Sequence, residues 1–108
     1  MAKPLTPAIV HILLALADDD RHGYGIMQEV ARLTGGVTRM GPGTLYGTLK
    51  RMLSAQLIEE ADERPDPAVD DERRRYYRLT PLGRRALKAE TARVATLVSA
   101  ARAKKVYP

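Results

Sequence analysis

The sequence predicts a mainly helical α+β domain, in which three helices, a two-stranded β-hairpin and a long final helix follow one another. Three observations support this order. Apolar residues recur every three to four positions in three segments, which is the period of an amphipathic helix, and a fourth segment near the start is apolar on almost every side. Thr-Pro pairs stand at positions 6–7 and 80–81, and this pair is typical of helix starts. Two short runs rich in β-formers flank a charged loop before the last helix.

Length and composition limit what this domain does. With 108 residues, of which 44% are hydrophobic and 29% charged, the chain has the composition of a single soluble globular domain. The absence of cysteine removes disulfides, thiolate metal ligands and cysteine nucleophiles. The longest apolar run, residues 8–17, is too short for a membrane span or a secretory signal. We therefore expect a cytoplasmic location and no membrane partner.

The first helix is predicted from the Thr6-Pro7 start to the aspartates at 18–20. Its residues are apolar on almost every side, and a small domain rarely covers such a helix alone. We therefore expect Ile9, Leu13 and Leu16 to meet a partner subunit.

The second helix is predicted from His22 to Leu33, where Gly35-Gly36 ends it. The third helix begins near Gly41 or Thr44, and both residues fit the capping position. Its apolar stripe contains Leu45, Leu49, Met52 and Leu53. Small and basic residues make up the opposite face: Gly43, Thr44, Gly47, Lys50, Arg51 and Ser54. A helix with this face can lie close to a groove and still reach phosphates.

The hairpin strands are predicted over residues 57–61 and 75–79, with an exposed loop over 62–74. The last helix runs from Thr80 to about Lys105 and extends beyond a compact body. Its apolar stripe contains Leu87, Val94, Leu97, Val98 and Ala101. This stripe predicts packing against a second subunit, and folding back onto its own chain is the alternative.

The charge of the chain is unevenly distributed. The net charge is +5, yet residues 59–72 carry −7, while residues 73–105 carry eleven Lys and Arg against Glu90 as their single acid. A basic half behind an acidic loop favours a polyanion as partner. A solvated surface without a partner is the alternative.

Signals for catalysis are weak. Core packing or a subunit contact explains His11, and helix capping explains His22. The aspartates at 18–20 lack the spacing of a calcium loop, and the glycines at 41–47 match neither a dinucleotide fingerprint nor a phosphate loop. We expect no enzyme activity, no metal site and no cofactor.

The order of elements fits a helix-turn-helix followed by a wing. Four short motifs within this order resemble the PadR family of bacterial transcriptional regulators. They are His22-Gly23-Tyr24-Gly25-Ile26, then Gly43-Thr44-Leu45-Tyr46 with Leu49, Arg51 and Met52, then Leu57-Ile58-Glu59, and last Tyr76-Tyr77-Arg78-Leu79-Thr80 with Gly83-Arg84. The resemblance covers roughly residues 5–100.

The resemblance implies a winged helix-turn-helix homodimer that binds operator DNA, usually as a repressor. Small molecules such as phenolic acids or planar drugs would release this homodimer from the DNA. The single C-terminal helix is similar to that of the short subfamily, which dimerises through this helix and the first one. Residues 1–79 would form the DNA-binding domain and residues 80–108 the dimerisation helix, in one compact unit. An inducer would act at the dimer centre by changing the spacing of the two recognition helices.

Two features depart from the family pattern. Gln56 stands where members commonly carry Gly before the first strand of the wing, so we expect another residue to make that turn. The chain has no Trp on which a planar drug could stack.

DNA contacts are predicted on the second helix, the third helix and the wing. The residues are Tyr24, Thr44, Tyr46, Lys50, Arg51, Arg73, Arg74 and Arg75. Packing is the alternative role for Tyr24, and an ion pair is the alternative for Arg51. The predicted dimer interface consists of Ile9, Leu13, Leu16, Leu87, Val94, Leu97, Val98 and Ala101. A protein partner on the same basic face, or RNA, is the alternative to DNA.

Overall fold

The computed structural model describes residues 5–61 and 75–108. Four helices are present in this part of the chain: α1 (Pro7–Ala15), α2 (Gly23–Leu33), α3 (Pro42–Ser54) and α4 (Pro81–Ala103). Three short strands form one antiparallel sheet in the order β1-β3-β2: β1 (Arg21–His22), β2 (Ile58–Ala61) and β3 (Tyr76–Leu79). The predicted fold class, a helical core with a wing and a long last helix, is confirmed.

The sheet has one strand more than the sequence predicts. In β1, Arg21 pairs with Tyr77 and His22 with Tyr76, both in β3. A run of two residues carries no alternating pattern, so only its partner strand reveals it. The extra strand attaches the base of the wing to the start of α2.

Both predicted Thr-Pro starts are confirmed. The Thr6 hydroxyl accepts the Ile9 N–H at 3.3 Å, and the Thr80 hydroxyl accepts the Gly83 N–H at 3.0 Å. Each bond satisfies one of the N–H groups that a helix start leaves without a partner.

The end of α1 is held by two arginines. Arg21 Nε donates to the Ala15 carbonyl at 2.8 Å, and Arg84 Nη2 donates to the Ala17 carbonyl at 3.2 Å. Cations are favourable at this end because they complement the helix dipole. The helix ends before the aspartates at which the sequence places its end.

The core lies where the helices and the base of the wing meet. Its fully buried large side chains come from α1, α2, α3 and β2: Ile12, Leu13, Ile26, Val30, Leu45, Leu49, Met52 and Ile58. The helix-turn-helix and the base of the wing therefore form one packed body.

Three residues of the predicted dimer interface lie in this core instead. Leu13, Leu16 and Leu87 are buried by the chain itself, so they have no free surface for a partner. The sequence misleads here because α1 is apolar nearly all round, and its pattern does not show which side faces inward. Leu14 is the exposed large side chain of α1, at 40% exposure, and Ile9 is half-buried.

Gln56 itself makes the turn after α3, contrary to expectation. Its φ is +61°, in the left-handed region that costs a side chain about 1 kcal/mol. The Gln56 N–H donates to the Leu53 carbonyl and the Leu57 N–H to the Met52 carbonyl, each at 3.0 Å. This is the pattern of a Schellman turn. The Thr80 hydroxyl donates to the Gln56 carbonyl at 2.6 Å, which joins the turn to the start of α4.

Gly83 allows α4 to lie directly on the backbone at the start of β2. A Cβ at Gly83 would overlap the Leu57 carbonyl oxygen and lie 2.9 Å from its carbonyl carbon. No side chain fits there, so this glycine sets how closely α4 approaches the end of α3.

Candidate nucleic-acid interface

The start of α3 is an open surface. Gly41 is the N-cap residue, which settles the alternative that the sequence left open, and it provides no side-chain hydrogen bond. The four residues from Gly41 to Thr44 are exposed, and a Cβ at Gly41 or Gly43 would meet nothing within 4 Å. The first N–H groups of the helix are therefore uncapped at the positive end of its dipole, which suits an anion.

Thr44 and Lys50 are both exposed, as predicted, on one face of α3. Gly47 lies between them, and because it has no side chain, nothing protrudes from the face at that position. Lys50 has no ion pair with an acidic side chain anywhere in residues 5–61 or 75–108. Its ammonium group is therefore available to a partner.

Arg51 folds back along α3. Its Nη2 donates to the Thr48 hydroxyl at 3.2 Å, and that buried hydroxyl donates to the Thr44 carbonyl at 2.7 Å. The alternative role in an ion pair is not seen, because no carboxylate in the part of the chain described lies at salt-bridge distance. Arg51 is held in place but keeps its charge on the exposed face.

Tyr46 joins the starts of α2 and α3. A Cβ at Gly23, the buried first residue of α2, would lie 2.5 Å from the Tyr46 Oη. The glycine therefore leaves the space that the Tyr46 hydroxyl fills, while part of the ring stays exposed. This contact holds the two helices at a fixed separation and so positions the surface of α3.

His22 caps α2 and places Tyr24 at the surface. The His22 Nδ1 accepts the Gly25 N–H at 3.0 Å, and its ring meets the Tyr76 ring edge-on at a centroid distance of 5.2 Å. The capping role suggested by the sequence is what the geometry shows. Tyr24 follows in the first turn of α2, at 52% exposure.

The base of the wing carries paired charges. Arg75 lies 3.7 Å from Glu60, and Arg78 Nε lies 3.0 Å from a Glu59 oxygen. Pairs this exposed contribute at most about 1 kcal/mol each, so Arg75 can exchange its carboxylate for another anion. Arg73 and Arg74, which the sequence assigns to DNA contact, lie outside the described residues.

Glu29, the acidic residue of α2, is already neutralised. Arg32 donates two hydrogen bonds to its carboxylate, at 2.7 and 2.6 Å, and Arg21 lies at 3.8 Å. The Arg32 hydrogen bonds hold the pKa of Glu29 below its ordinary value, against the opposing effect of burial. Helix α2 therefore adds no free negative charge to this surface.

Two further exposed polar side chains, Gln28 and Arg39, lie next to this surface, and the sequence analysis named neither. With Tyr24 they rim a cleft of about 390 Å³ between α2 and the segment before α3. Its floor consists of Met27, Ala31 and Met40. Arg39 lies in the segment before α3, outside the helical period that predicts the other DNA-contact residues.

Across residues 5–61 and 75–108, no three His, Asp or Glu side chains gather as metal ligands would. None of the helices described has both the length and the apolarity that a bilayer crossing requires.

Three packed helices with a wing and an exposed third helix define the winged helix-turn-helix class. Residues 12–89 match the model of the family described as "Transcriptional regulator PadR-like family". The chain therefore belongs to the PadR-like family of transcriptional regulators, as its motifs indicated, and this is a family of regulators rather than enzymes.

Relatives agree with this assignment. The chain is 44% identical over 78 residues to "Transcriptional regulator Rv3488" of Mycobacterium tuberculosis, which covers 72% of this chain and 66% of that protein. A PadR family transcription regulator from Clostridium difficile has a similar structure, with TM-score 0.71 and 25% identity over 90% of this chain and 96% of that one. A Bacillus subtilis PadR, solved in complex with operator DNA, has a TM-score of 0.66 and 20% identity, and the match covers 81% of this chain and 47% of that one. The chain spans no more than 66% of the length of the curated relatives that it matches.

Proposed function

We propose that this chain binds double-stranded operator DNA through the start of α3, as a homodimer that represses transcription. The observation that carries the proposal is the uncapped, exposed start of α3, followed on one face by Arg51 and by Lys50, which forms no ion pair within the described residues. Duplex DNA offers phosphates to such a surface, and its major groove admits a helix. The operator complex of the Bacillus subtilis PadR supports the same use of this fold. A cytoplasmic location belongs to the proposal because the chromosome is there.

The wing provides a second contact in this proposal. Arg75 stands at the start of β3, and Arg73 and Arg74 precede it in the chain. A wing with these cations reaches the backbone or groove beside the one that α3 enters, and Thr44, Tyr46 and Tyr24 complete the contact. Positions 1–79 then serve DNA binding, and positions 80–108 serve dimerisation.

The test is fluorescence anisotropy with a labelled 30-base-pair duplex of random sequence, measured at several salt concentrations. Lys50→Gln should weaken binding and lower the slope of log affinity against log salt by about one. Lys88→Gln removes the same charge from an exposed position of α4 and should leave both values unchanged. A wild-type slope in Lys50→Gln would remove Lys50 from the site. A chain that binds no duplex would favour the alternative, a winged-helix module for a protein partner.

The dimer part of the proposal rests on the second half of α4. Val94 and Leu97 are exposed, and Val98 and Ala101 are half-buried, on the same side of the helix as the buried Leu87. An apolar stripe of this kind on a small domain suits a second copy of the chain. The exposed Leu14 and the half-buried Ile9 extend the proposed interface on α1. Two recognition helices then meet half-sites about one DNA turn, ~34 Å, apart.

Sedimentation at micromolar concentration tests the dimer. Leu97→Glu should give a monomer that binds duplex DNA weakly although α3 is untouched, because one recognition helix alone makes half the contacts. Leu82→Glu is a matched control, since Leu82 is an exposed leucine of the same helix, at 42% against 56% for Leu97, and lies off the stripe. A wild-type monomer, or equal effects of the two variants, would contradict the proposed interface.

The repressor role and its relief by a small molecule complete the proposal. The buried His11 Nδ1 has no hydrogen-bond partner within the described chain, which supports a group from a partner chain or an effector near α1. A reporter placed behind the promoter of this protein's own gene should rise when the protein is deleted, and a fall would indicate activation. Adding 4-hydroxybenzoate, a simple phenolic acid, to the protein–DNA complex should lower its affinity. Unchanged affinity would exclude that ligand class.

A further inference from the structure

The cleft on the outer side of α2 combines three hydrogen-bond donors with an apolar floor. Tyr24 and Gln28 rim it from one face of α2, and Arg39 rims it from the segment that leads into α3. All three side chains are exposed, while Met27 and Met40 on the floor are half-buried. The cleft is therefore open to a partner along its whole rim.

The charge of this cleft points to an anion. Among the residues that the structure describes, no carboxylate lines it, and Arg39 is the single charged side chain. Glu29, the acidic residue of α2, points away and is paired with Arg32 and Arg21. A phenol hydroxyl, a carboxamide and a guanidinium can all donate to the oxygens of one phosphate.

The position of Arg39 follows from the turn after α2. Gly36 has φ +82°, and a Cβ placed on it would lie 3.4 Å from Arg39 Nη2. The guanidinium thus lies beside the glycine, close to the chain rather than extended into solvent.

We infer that this cleft binds one segment of the operator's sugar–phosphate backbone, next to the groove that α3 enters. The inference rests on the proposed function. The phosphate would accept from Tyr24, Gln28 and Arg39, and the deoxyribose would lie on Met27 and Met40. Contacts of this kind set the register of the protein on the duplex and carry no sequence information. The cleft therefore positions α3, whereas α3 itself reads bases.

The test uses the same labelled random-sequence duplex, together with a duplex selected for tight binding to the wild-type chain. Arg39→Gln should weaken binding to both duplexes about tenfold and lower the salt slope by about one, because one phosphate contact is lost. Arg39→Lys should restore the slope. Gln28→Leu should weaken binding to both duplexes by a smaller factor and leave the slope unchanged, since Gln28 has no charge.

The matched control is Arg85→Gln, which removes an exposed arginine from α4 and should leave affinity and slope as in the wild type. Thermal melting of each variant should match the wild type, because Arg39 and Gln28 are exposed. Wild-type affinity and slope in Arg39→Gln, while Lys50→Gln loses slope, would overturn the cleft and leave the proposed function standing. Weaker binding to the selected duplex alone, with the slope unchanged, would make Arg39 a base reader and also overturn it. No duplex binding by the wild type would overturn both.

Discussion

The two ends of α3 differ in how they are capped and in how closely the rest of the chain contacts them. At its start, the residues from Gly41 to Thr44 are exposed, the N-cap Gly41 provides no side-chain hydrogen bond, and a Cβ added at Gly41 or Gly43 would meet nothing within 4 Å. At its end, Gln56 closes a Schellman turn, and its carbonyl accepts from the Thr80 hydroxyl at 2.6 Å. Gly83 lets α4 lie against the backbone of Leu57, the residue after Gln56.

The difference shows how one helix combines stability with binding. The closed end fixes α3 to β2 and α4, so the open end can present bare backbone without its own capping contacts, and Lys50 and Arg51 follow it along the exposed face. Substitutions at the closed end should therefore change the free energy of unfolding. Substitutions at the open end should change DNA affinity instead.

Gly83→Ala should give the largest loss of stability. Its Cβ would overlap the Leu57 carbonyl oxygen, which is backbone and cannot rotate away, so α4 has to shift. We expect a loss of about 3 kcal/mol or more in urea unfolding, at the upper end of overpacking effects.

Gly43→Ala is the matched change at the open end. A Cβ there meets no atom within 4 Å, and Ala favours a helix over Gly by about 0.5–1 kcal/mol. Stability should stay equal or rise, while the affinity for duplex DNA falls. Equal destabilisation by the two alanines would contradict the difference between the ends.

Thr80→Val should have the next largest effect. The hydroxyl both donates to the Gln56 carbonyl and accepts from the Gly83 N–H, so its removal leaves two backbone groups without partners. We expect a loss of about 1–2 kcal/mol, as for other helix caps, measured by the urea midpoint. Thr44→Val at the open end should change the midpoint by less than about 0.5 kcal/mol, as exposed substitutions usually do. The prediction is wrong if the two valines shift the midpoint equally.

Gln56→Gly should stabilise the chain. Glycine adopts the observed φ of +61° without the strain that a side chain brings, so we expect a gain of about 0.5–1 kcal/mol. Duplex affinity should not change, because the site lies at the other end of α3. Gln56→Ala is the control and should give no gain, and a gain from Ala equal to that from Gly would refute strain at this turn.

Lowering the pH should give the smallest change in stability. This change comes from Glu29 of α2, not from either end of α3. Hydrogen bonds from Arg32 lower the pKa of Glu29 below 4.5, so its ion pair adds stability above pH 4.5 that is lost as pH falls toward the folded-state pKa. Urea midpoints from pH 6 to pH 3 should fall less steeply in Glu29→Gln than in the wild type. Parallel curves would show that Glu29 titrates alike in the folded and unfolded chain.

The sequence predicts the features that leave a local pattern, such as runs of apolar residues and helix-capping pairs. The apolar patterns locate the four helices, and the Thr-Pro pairs locate two of their starts. Features that depend on distant residues were missed or misassigned. The strand at Arg21 and His22 exists through its pairing with β3, and the inward side of α1 depends on what packs against it. Likewise, the turn at Gln56 relies on contacts from α4.

The candidate site divides in the same way. Thr44 and Lys50 follow from the helical period of α3, and both are exposed as predicted. The space at Gly23 that holds the Tyr46 hydroxyl appears only when α2 and α3 are packed. Arg39 belongs to a cleft formed by two separate segments, and no single periodic pattern indicates it.

An NMR titration of the ¹⁵N-labelled chain with a duplex selected for tight binding tests the central claim most directly. If α3 binds DNA by its open end and by the exposed face that follows it, the largest amide shifts should fall on Gly41, Gly43, Thr44 and Lys50. The amides of Ala55, Gln56 and Leu57 at the closed end should stay near their free positions. Largest shifts at the closed end, with Gly43 and Thr44 unmoved, would contradict the account.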